Sequence, residues 1–94
     1  MSEIRFTWDA GKEAANQRKH GVSFDEARSV FLDENARLVD DPDHSSSEAR
    51  FVLLGLSHRL RLLVVCHTYR REDEEIRIIS ARKANKHERN QYAE

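Results

Sequence analysis

The chain has 94 residues, with 16 Lys and Arg against 17 Asp and Glu, and a formal net charge of -1. This length fits a single domain over residues 1–94. The lone cysteine excludes an internal disulfide and a cysteine-based zinc site, and the nearly neutral charge argues against a general nucleic-acid coat protein.

The first third of the chain predicts one short strand and two helices. The segment "IRFTW" (Ile4–Trp8) has strand composition. Asp9 stands at the N-cap position of a helix that Gly21 ends. Ser23, with Glu26 three residues later, forms a capping box that opens the second helix. One face of that helix is apolar at helical spacing: Phe24, Ala27, Val30 and Phe31.

After Asn35 the apolar period changes from that of a helix to that of a strand. The segment "ARLVD" predicts a short strand, and "DPDHSSSE" predicts a polar turn. Three longer strands follow with hairpin-sized connections: "ARFVLLGL", "LRLLVVCHTYR" and "EEIRIISARK". Asn85 and Glu88 form a second capping-box pair, which opens a final helix that runs to about Tyr92.

The predicted order of elements is therefore β-α-α-β-β-β-β-α. This order indicates an α+β domain in which two N-terminal helices pack on an antiparallel sheet, with a short C-terminal helix. No apolar run approaches the roughly 18 residues of a membrane span, and the N-terminal segment lacks the apolar core of a signal peptide. We therefore expect a cytoplasmic protein with no membrane contact.

The charges are distributed unevenly along the chain. Residues 1–49 carry 6 Lys and Arg against 11 Asp and Glu, whereas residues 50–94 carry 10 against 6. Five cations fall in Ile76–Arg89, where a predicted strand passes into a predicted helix. The free backbone N–H groups of a helix start attract anions, and cations beside them favour a bound phosphate.

Alternation along the two longest strands predicts which side chains share a face. The purer apolar set should cover the helices: Leu60, Leu62, Val64, Cys66, Ile76 and Ile78. The opposite set would then form an exposed groove of three cations and one imidazole: Arg61, His67, Arg77 and Lys83. The alternative is an ordinary solvated sheet face, which normally carries Arg and Lys, with His67 as a hydrogen-bonded structural residue.

Other clusters of polar residues point to structure more than to chemistry. Asp41, Asp43 and His44 offer ligands to a metal, yet Asp-Pro-Asp followed by serines is first of all a turn. Lys19 and His20 fall at a helix end, where cations offset the helix dipole. No metal site and no cofactor are predicted.

Four segments in this order carry a family resemblance: "FTWDAGKEAANQRKHGVSFDEA", "DDPDHSSSEARFVLLGLS", "RLLVVCHT" and "RIISARKANKHER". Together they cover nearly the whole chain, and "KHGVSF" and "RIISAR" are the most specific. The chain closely resembles the BrnT toxins, the ribonuclease halves of bacterial type II toxin–antitoxin pairs. This resemblance implies a RelE-like fold, RNA cleavage and an arrest of translation and growth.

The same resemblance implies particular partners. A small BrnA-type antitoxin would neutralise the toxin, in an assembly that we expect to contain two toxins and two antitoxins. RNA would be the substrate, and DNA would be contacted only indirectly, through the antitoxin.

Metal-independent RNA cleavage needs a base, an acid and cations that stabilise the charge at phosphorus. We assign catalytic roles to a histidine and three cations: His67, Arg77, Arg82 and Lys83. Flanking phosphates would contact three further cations: Arg61, Lys86 and Arg89. Glu88 is either a helix cap or an acid–base partner, and Tyr92 either packs on the sheet or stacks on a base. The rival interpretation is a non-catalytic RelE-fold module that binds RNA or an antitoxin.

Overall fold

A computed structural model describes residues 4–39, 49–72 and 74–93 of the chain. In chain order its elements are β1 (Arg5–Thr7), α1 (Ala10–His20), α2 (Phe24–Ser29), a 3₁₀ turn (Val30–Leu32), β2 (Arg37–Val39), β3 (Phe51–Leu56), β4 (Leu62–Arg70), β5 (Glu75–Lys83) and α3 (Lys86–Ala93). This order confirms the predicted succession of strands and helices. The "DPDHSSSE" turn, with its candidate metal ligands Asp41, Asp43 and His44, lies outside the described residues.

The described strands form one five-stranded sheet in the order β1-β5-β4-β3-β2. Pairing is antiparallel from β2 to β5, but β1 runs parallel to β5. The prediction of a purely antiparallel sheet is therefore wrong for β1. Its neighbour β5 is about 70 residues away in sequence, so no hairpin connection fixes the direction of pairing. No helix in the described part of the chain is long and apolar enough to span a membrane.

The helix boundaries follow the predicted caps. The Asp9 carboxylate accepts a hydrogen bond from the Lys12 N–H at 2.9 Å, and α1 ends at Gly21, whose φ of 70° suits a residue without Cβ. The Ser23 hydroxyl accepts from the Glu26 N–H at 3.1 Å and so begins α2, whereas the Glu26 carboxylate bonds to Ser57 and Arg61 and does not complete the predicted capping box. The capping bonds join residues that are near in sequence, which is why the sequence predicts them.

Apolar side chains cover both faces of the central strands. We call the inner face the one that packs on the α1–α2 region; its buried cluster contains Val22, Phe24, Ala27, Val30, Leu53, Leu63, Val65, Ile78 and Ala81. We call the opposite side the outer face; its cluster contains Val52, Leu54, Val64 and Ala84, with Val39, Leu62 and Tyr92 packed against it. Because Tyr92 belongs to α3, that helix covers part of the outer face.

The predicted assignment of faces on β4 is wrong. Leu63 and Val65 contact the helices, whereas Leu62 and Val64 lie on the outer face. Both alternating sets on this central strand are apolar, so their alternation in sequence does not distinguish the two faces.

Asn16 fixes α1 across β5. Its amide nitrogen donates to the carbonyls of Val22 at 2.8 Å and Ala81 at 2.9 Å, and its amide oxygen accepts from the Ala81 N–H at 3.1 Å. The residue is buried, so these hydrogen bonds offset the loss of water that burial imposes on the amide. A polar side chain therefore sets the position of α1 on the sheet.

A buried ion pair joins α2 to the β3–β4 turn. Glu26 is 2% exposed; its carboxylate accepts hydrogen bonds from the Arg61 guanidinium and from the Ser57 hydroxyl at 2.7 Å. Hydrogen bonds from Arg61, more than any other contact, lower the pKa of Glu26 and keep the carboxylate ionised. Arg61 also donates to the Gly21 carbonyl at 3.1 Å, so it links the end of α1 to the same turn.

We predict that Arg61→Ala lowers the free energy of unfolding by about 3 kcal/mol, because Glu26 would be left as a buried charge without its main partner. Urea denaturation measures the change. The control is Arg28→Ala, which breaks the exposed Arg28–Asp25 pair and should cost less than about 1 kcal/mol. A loss of similar size in both variants would contradict the structural role of Arg61.

Candidate functional site

His67 lies in the core and not on an exposed surface. It is fully buried, and its ring is surrounded by those of Phe31 (centroids 4.9 Å apart), Tyr69 (5.3 Å) and Phe51 (6.1 Å). Its Nδ1 is 3.1 Å from the Val65 carbonyl oxygen, and Nε2 has no hydrogen-bond partner within the described residues. The prediction that His67 lines an exposed groove is wrong.

Burial also changes the chemistry of this imidazole. The loss of water around the ring lowers the pKa of His67, so the neutral form predominates at neutral pH. In this conformation the ring has no exposed surface through which it could contact a substrate. The sequence could not show this, because a histidine in an apolar strand fits either face.

Arg61 also lies elsewhere than predicted. Its guanidinium bonds to Glu26 and to the Gly21 carbonyl, which directs it toward the helices. The hydrogen bonds that Arg61 donates to Glu26 raise the pKa of Arg61 further. The predicted placement of Arg61 on an exposed sheet face is therefore wrong.

A β-bulge determines what the outer face carries. Cys66 pairs with Ser80 and His67 pairs with Ile78, so Ile79 is an extra residue of β5 without a partner on β4. The alternation of side chains along β5 therefore shifts by one residue at this point. Ile78 and Ala81 both contact the inner cluster, although their sequence spacing is odd.

The shifted alternation places two arginines on the same side of the sheet. Arg77 lies opposite Thr68, Ser80 opposite Cys66 and Arg82 opposite Val64, and these partners alternate along the outer face of β4. We call Arg77, Ser80 and Arg82 the arginine strip. Arg77 is half-buried and makes no side-chain hydrogen bond or ion pair within residues 4–39, 49–72 and 74–93. The strip thus contains a cation that has no acidic partner in the described protein.

Arg82 is held by Glu88 at the start of α3. The guanidinium donates from Nη1 to Oε1 and from Nη2 to Oε2, each at 2.8 Å. Glu88 also completes the predicted capping box: its Oε1 accepts from the Asn85 N–H at 2.9 Å, and its own N–H donates to Asn85 Oδ1 at 2.8 Å. The pairing with Arg82 is the largest cause that lowers the pKa of Glu88.

The sequence predicts the capping role of Glu88 but not its ion pair with Arg82. The capping box is readable from the spacing of Asn85 and Glu88, but the contact with Arg82 depends on how the chain bends between β5 and α3. An acid in the first turn of a helix that follows a basic strand end is the signal that could have indicated it.

The remaining predicted cations are exposed: Lys83, Lys86 and Arg89. Lys83 lies opposite Leu63, which belongs to the inner cluster, so it projects to the other side of the sheet from Arg82. The predicted groove of Arg61, His67, Arg77 and Lys83 on one face is therefore wrong. The structure instead places Arg77 on the same face as Arg82, and Arg82 is paired with Glu88 in the first turn of α3.

The other end of α3 is held by Tyr92. Its hydroxyl donates to Asp33 Oδ2 at 2.7 Å, and the same oxygen accepts from the Leu56 N–H at 2.8 Å. The hydrogen bond to Asp33 is the main cause that raises the pKa of Tyr92. Tyr92 therefore packs on the sheet, and α3 is attached near both ends.

In the part of the chain that the structure describes, no group of three or more His, Cys, Asp or Glu side chains could hold a metal ion. The arginine strip itself offers two cations and one hydroxyl. Guanidinium groups suit phosphate recognition, because their planar donors match the geometry of phosphate oxygens.

The chain is similar in sequence and in fold to known proteins. Residues 8–88 match the family model described as "Ribonuclease toxin, BrnT, of type II toxin-antitoxin system". The fold is similar to the 1.1 Å crystal structure of the Brucella abortus ribonuclease toxin BrnT, with a TM-score of 0.67 and 21% sequence identity. The alignment covers 88% of this chain and 99% of that one. Among curated proteins, none matches the sequence.

We predict that acid destabilises the fold through His67 as the pH falls below about 7. In the unfolded chain His67 takes up a proton near its ordinary pKa of 6.5, whereas in the folded chain it takes up the proton only at lower pH. The free energy of unfolding therefore decreases as the pH is lowered. The slope approaches at most about 1.4 kcal/mol per pH unit. Urea denaturation at several pH values measures it. His67→Leu should flatten the dependence in this range, and an unchanged slope in that variant would contradict the assignment.

Proposed function

Because the chain belongs to the BrnT family of ribonuclease toxins of type II toxin–antitoxin systems, we propose that it is an RNA-cleaving toxin whose working surface is the arginine strip. The observation that carries this proposal is the pair Arg77 and Arg82 on one face. Arg77 has no acidic partner within the described residues, and Arg82 is oriented by Glu88. An RNA phosphate would supply Arg77 with the anion that it lacks within the described residues.

The proposed reaction needs no metal. The 2′-OH of RNA loses its proton to water and attacks the adjacent phosphorus, and the bond to the 5′-oxygen breaks. The departing 5′-oxygen takes up a proton from water, so a 2′,3′-cyclic phosphate and a 5′-OH end result. DNA lacks this nucleophile, so it would not be cut. The contribution of the protein is to stabilise the negative charge that gathers on the phosphoryl oxygens, which is what Arg77 and Arg82 can do.

The other predicted site residues take different parts in this proposal. Lys86 and Arg89, exposed on α3, would contact flanking phosphates, and Lys83 would contact RNA that extends around the strand end. Arg61 and His67 would support the fold, because the former is bonded to Glu26 and the latter is fully buried.

We further propose that the toxin acts in the cytoplasm, where RNA cleavage would stop translation and growth. Membership of a type II family implies a protein antitoxin. We propose that this antitoxin is of the BrnA type, that two toxins bind two antitoxins, and that the antitoxin alone contacts DNA.

We predict that the purified protein cleaves RNA without an added metal. In Arg77→Ala or Arg82→Ala, the cleavage rate should fall about a hundredfold, because loss of one cation at the transition state commonly costs about 3 kcal/mol. Gel analysis of a labelled RNA in the presence of a chelator measures the rate. The matched control is Arg18→Ala, which removes an exposed arginine of α1 and should leave the rate unchanged.

Circular dichroism establishes that each variant is folded before rates are compared. Intact RNA at high concentrations of folded protein would reject the nuclease and leave a module that only binds RNA or antitoxin. Normal rates in both strip variants would place the active site elsewhere.

We also predict that antitoxin binding resists salt better than RNA binding. RNA affinity should fall steeply between about 50 and about 200 mM salt, because binding to phosphates releases counterions. A protein partner also buries apolar groups, which salt does not screen. Exposed apolar side chains are available for such contacts: Ile4, Leu32, Leu38 and Leu60. Titrations of both ligands at several salt concentrations compare the slopes, and equal slopes would contradict an apolar interface.

A further inference from the structure

The carboxylate of Glu88 makes more contacts than a helix cap requires. A capping box needs one side-chain oxygen that accepts from the cap residue's N–H, and Oε1 does this for Asn85. The second oxygen is committed to Arg82, and Oε1 is shared with the same guanidinium. One carboxylate therefore ties the end of β5 to the first turn of α3 through Arg82.

The side chain of Arg82 is more exposed to solvent than that of its partner Glu88. The Glu88 side chain is 12% exposed, whereas that of Arg82 is 37% exposed. The acid is thus sheltered behind the arginine, and the arginine reaches solvent. In the exposed pair Arg28–Asp25, by contrast, the two side chains are 49% and 65% exposed, so neither shelters the other.

An arginine at this position needs support if it is to stabilise a transition state. The guanidinium sits on a long side chain with several rotatable bonds, which would otherwise sample many rotamers. A bidentate pairing fixes the plane of the guanidinium as well as its position. The partner Glu88 is itself fixed by its hydrogen bonds with Asn85.

We infer that Glu88 is a positioning residue for RNA cleavage, which acts by holding the Arg82 guanidinium in the arginine strip. This inference rests on the proposed function, since it gives Glu88 a part in the same site. Glu88 does not contact RNA in this role.

The role predicts opposite effects on binding and on rate. Glu88 carries a negative charge beside a surface that binds a polyanion, so its neutralisation should leave RNA binding equal or make it tighter. The same change removes the bidentate ion pair, so bound RNA should be cleaved more slowly. A residue that only stabilises the fold would change the amount of folded protein and leave the rate of the folded molecules unchanged.

The test uses Glu88→Gln, whose amide oxygen can still cap α3. Single-turnover cleavage at saturating RNA gives the rate, and titration of a 2′-deoxy substituted RNA, which cannot be cleaved, gives the dissociation constant. We expect the rate to fall at least tenfold, while the dissociation constant stays the same or decreases. Asp25→Asn makes the same change of charge in the exposed pair and should alter neither quantity.

A double-mutant cycle identifies the residue through which Glu88 acts. In an Arg82→Ala background, Glu88→Gln should cause no further loss of rate, because the group that it positions is gone. If Glu88→Gln does not fold, Glu88→Asp serves instead. Its carboxylate is one methylene shorter, so it cannot hold both the cap and the guanidinium, and its rate should also fall.

Three results would overturn the inference. A folded Glu88→Gln or Glu88→Asp variant that cleaves as fast as the wild type, or faster, would show that Glu88 is only a cap or a competitor of phosphate. An equal loss of rate with and without Arg82 would show that Glu88 acts by another route. Wild-type protein that leaves RNA intact would reject the proposed function and this inference together, whereas the first two results reject the inference alone.

Discussion

The β-bulge at Ile79 determines which side chains of β5 lie on each face of the sheet. Without the extra residue, strict alternation along β5 would put Arg77 and Arg82 on opposite faces. With it, both lie opposite outer-face residues of β4, namely Thr68 and Val64. The same shift keeps Ile78 and Ala81 together in the inner cluster. The arginine strip and the inner cluster therefore depend on a single irregularity of pairing.

Polar contacts between distant parts of the chain hold the elements around this sheet. Asn16 fixes α1 to β5, and the Glu26–Arg61 pair fixes α2 to the β3–β4 turn. Asn16 and Glu26 are both buried, and the loss of a hydrogen-bond partner costs more stability in the interior than on the surface. Such contacts fix the orientation of the helices on the sheet, because the burial of apolar surface alone has no preferred direction.

The outer face is shared between structure and proposed function. Tyr92 and Ala84 cover one part of it with apolar surface, and the arginine strip occupies another. The helix α3 joins the two, because its first turn contacts Arg82 through Glu88 and its last turn contacts Asp33 through Tyr92. A change that loosens α3 would thus affect the cations as well as the packing.

What the sequence by itself determined were the features that arise within a few residues. The caps at Asp9, Ser23 and Asn85, the end of α1 at Gly21 and the order of the elements all follow from hydrogen bonds and periodicities that are local. The five cations of Ile76–Arg89 are also evident from the sequence, and two of them, Arg77 and Arg82, belong to the arginine strip.

Only the tertiary structure decided the contacts between residues that are far apart. Arg61, which the sequence predicts to contact RNA, bonds to Glu26, which lies 35 positions away. His67, which the sequence predicts to be exposed, is buried among rings from three elements, and β1 pairs in parallel with a strand near the other end of the chain. The physical reason is that β4 is apolar on both faces, so alternation in its sequence carries no information about which face is covered. The bulge at Ile79 then reverses the alternation on β5, and it is defined by pairing with β4 and not by any local signal.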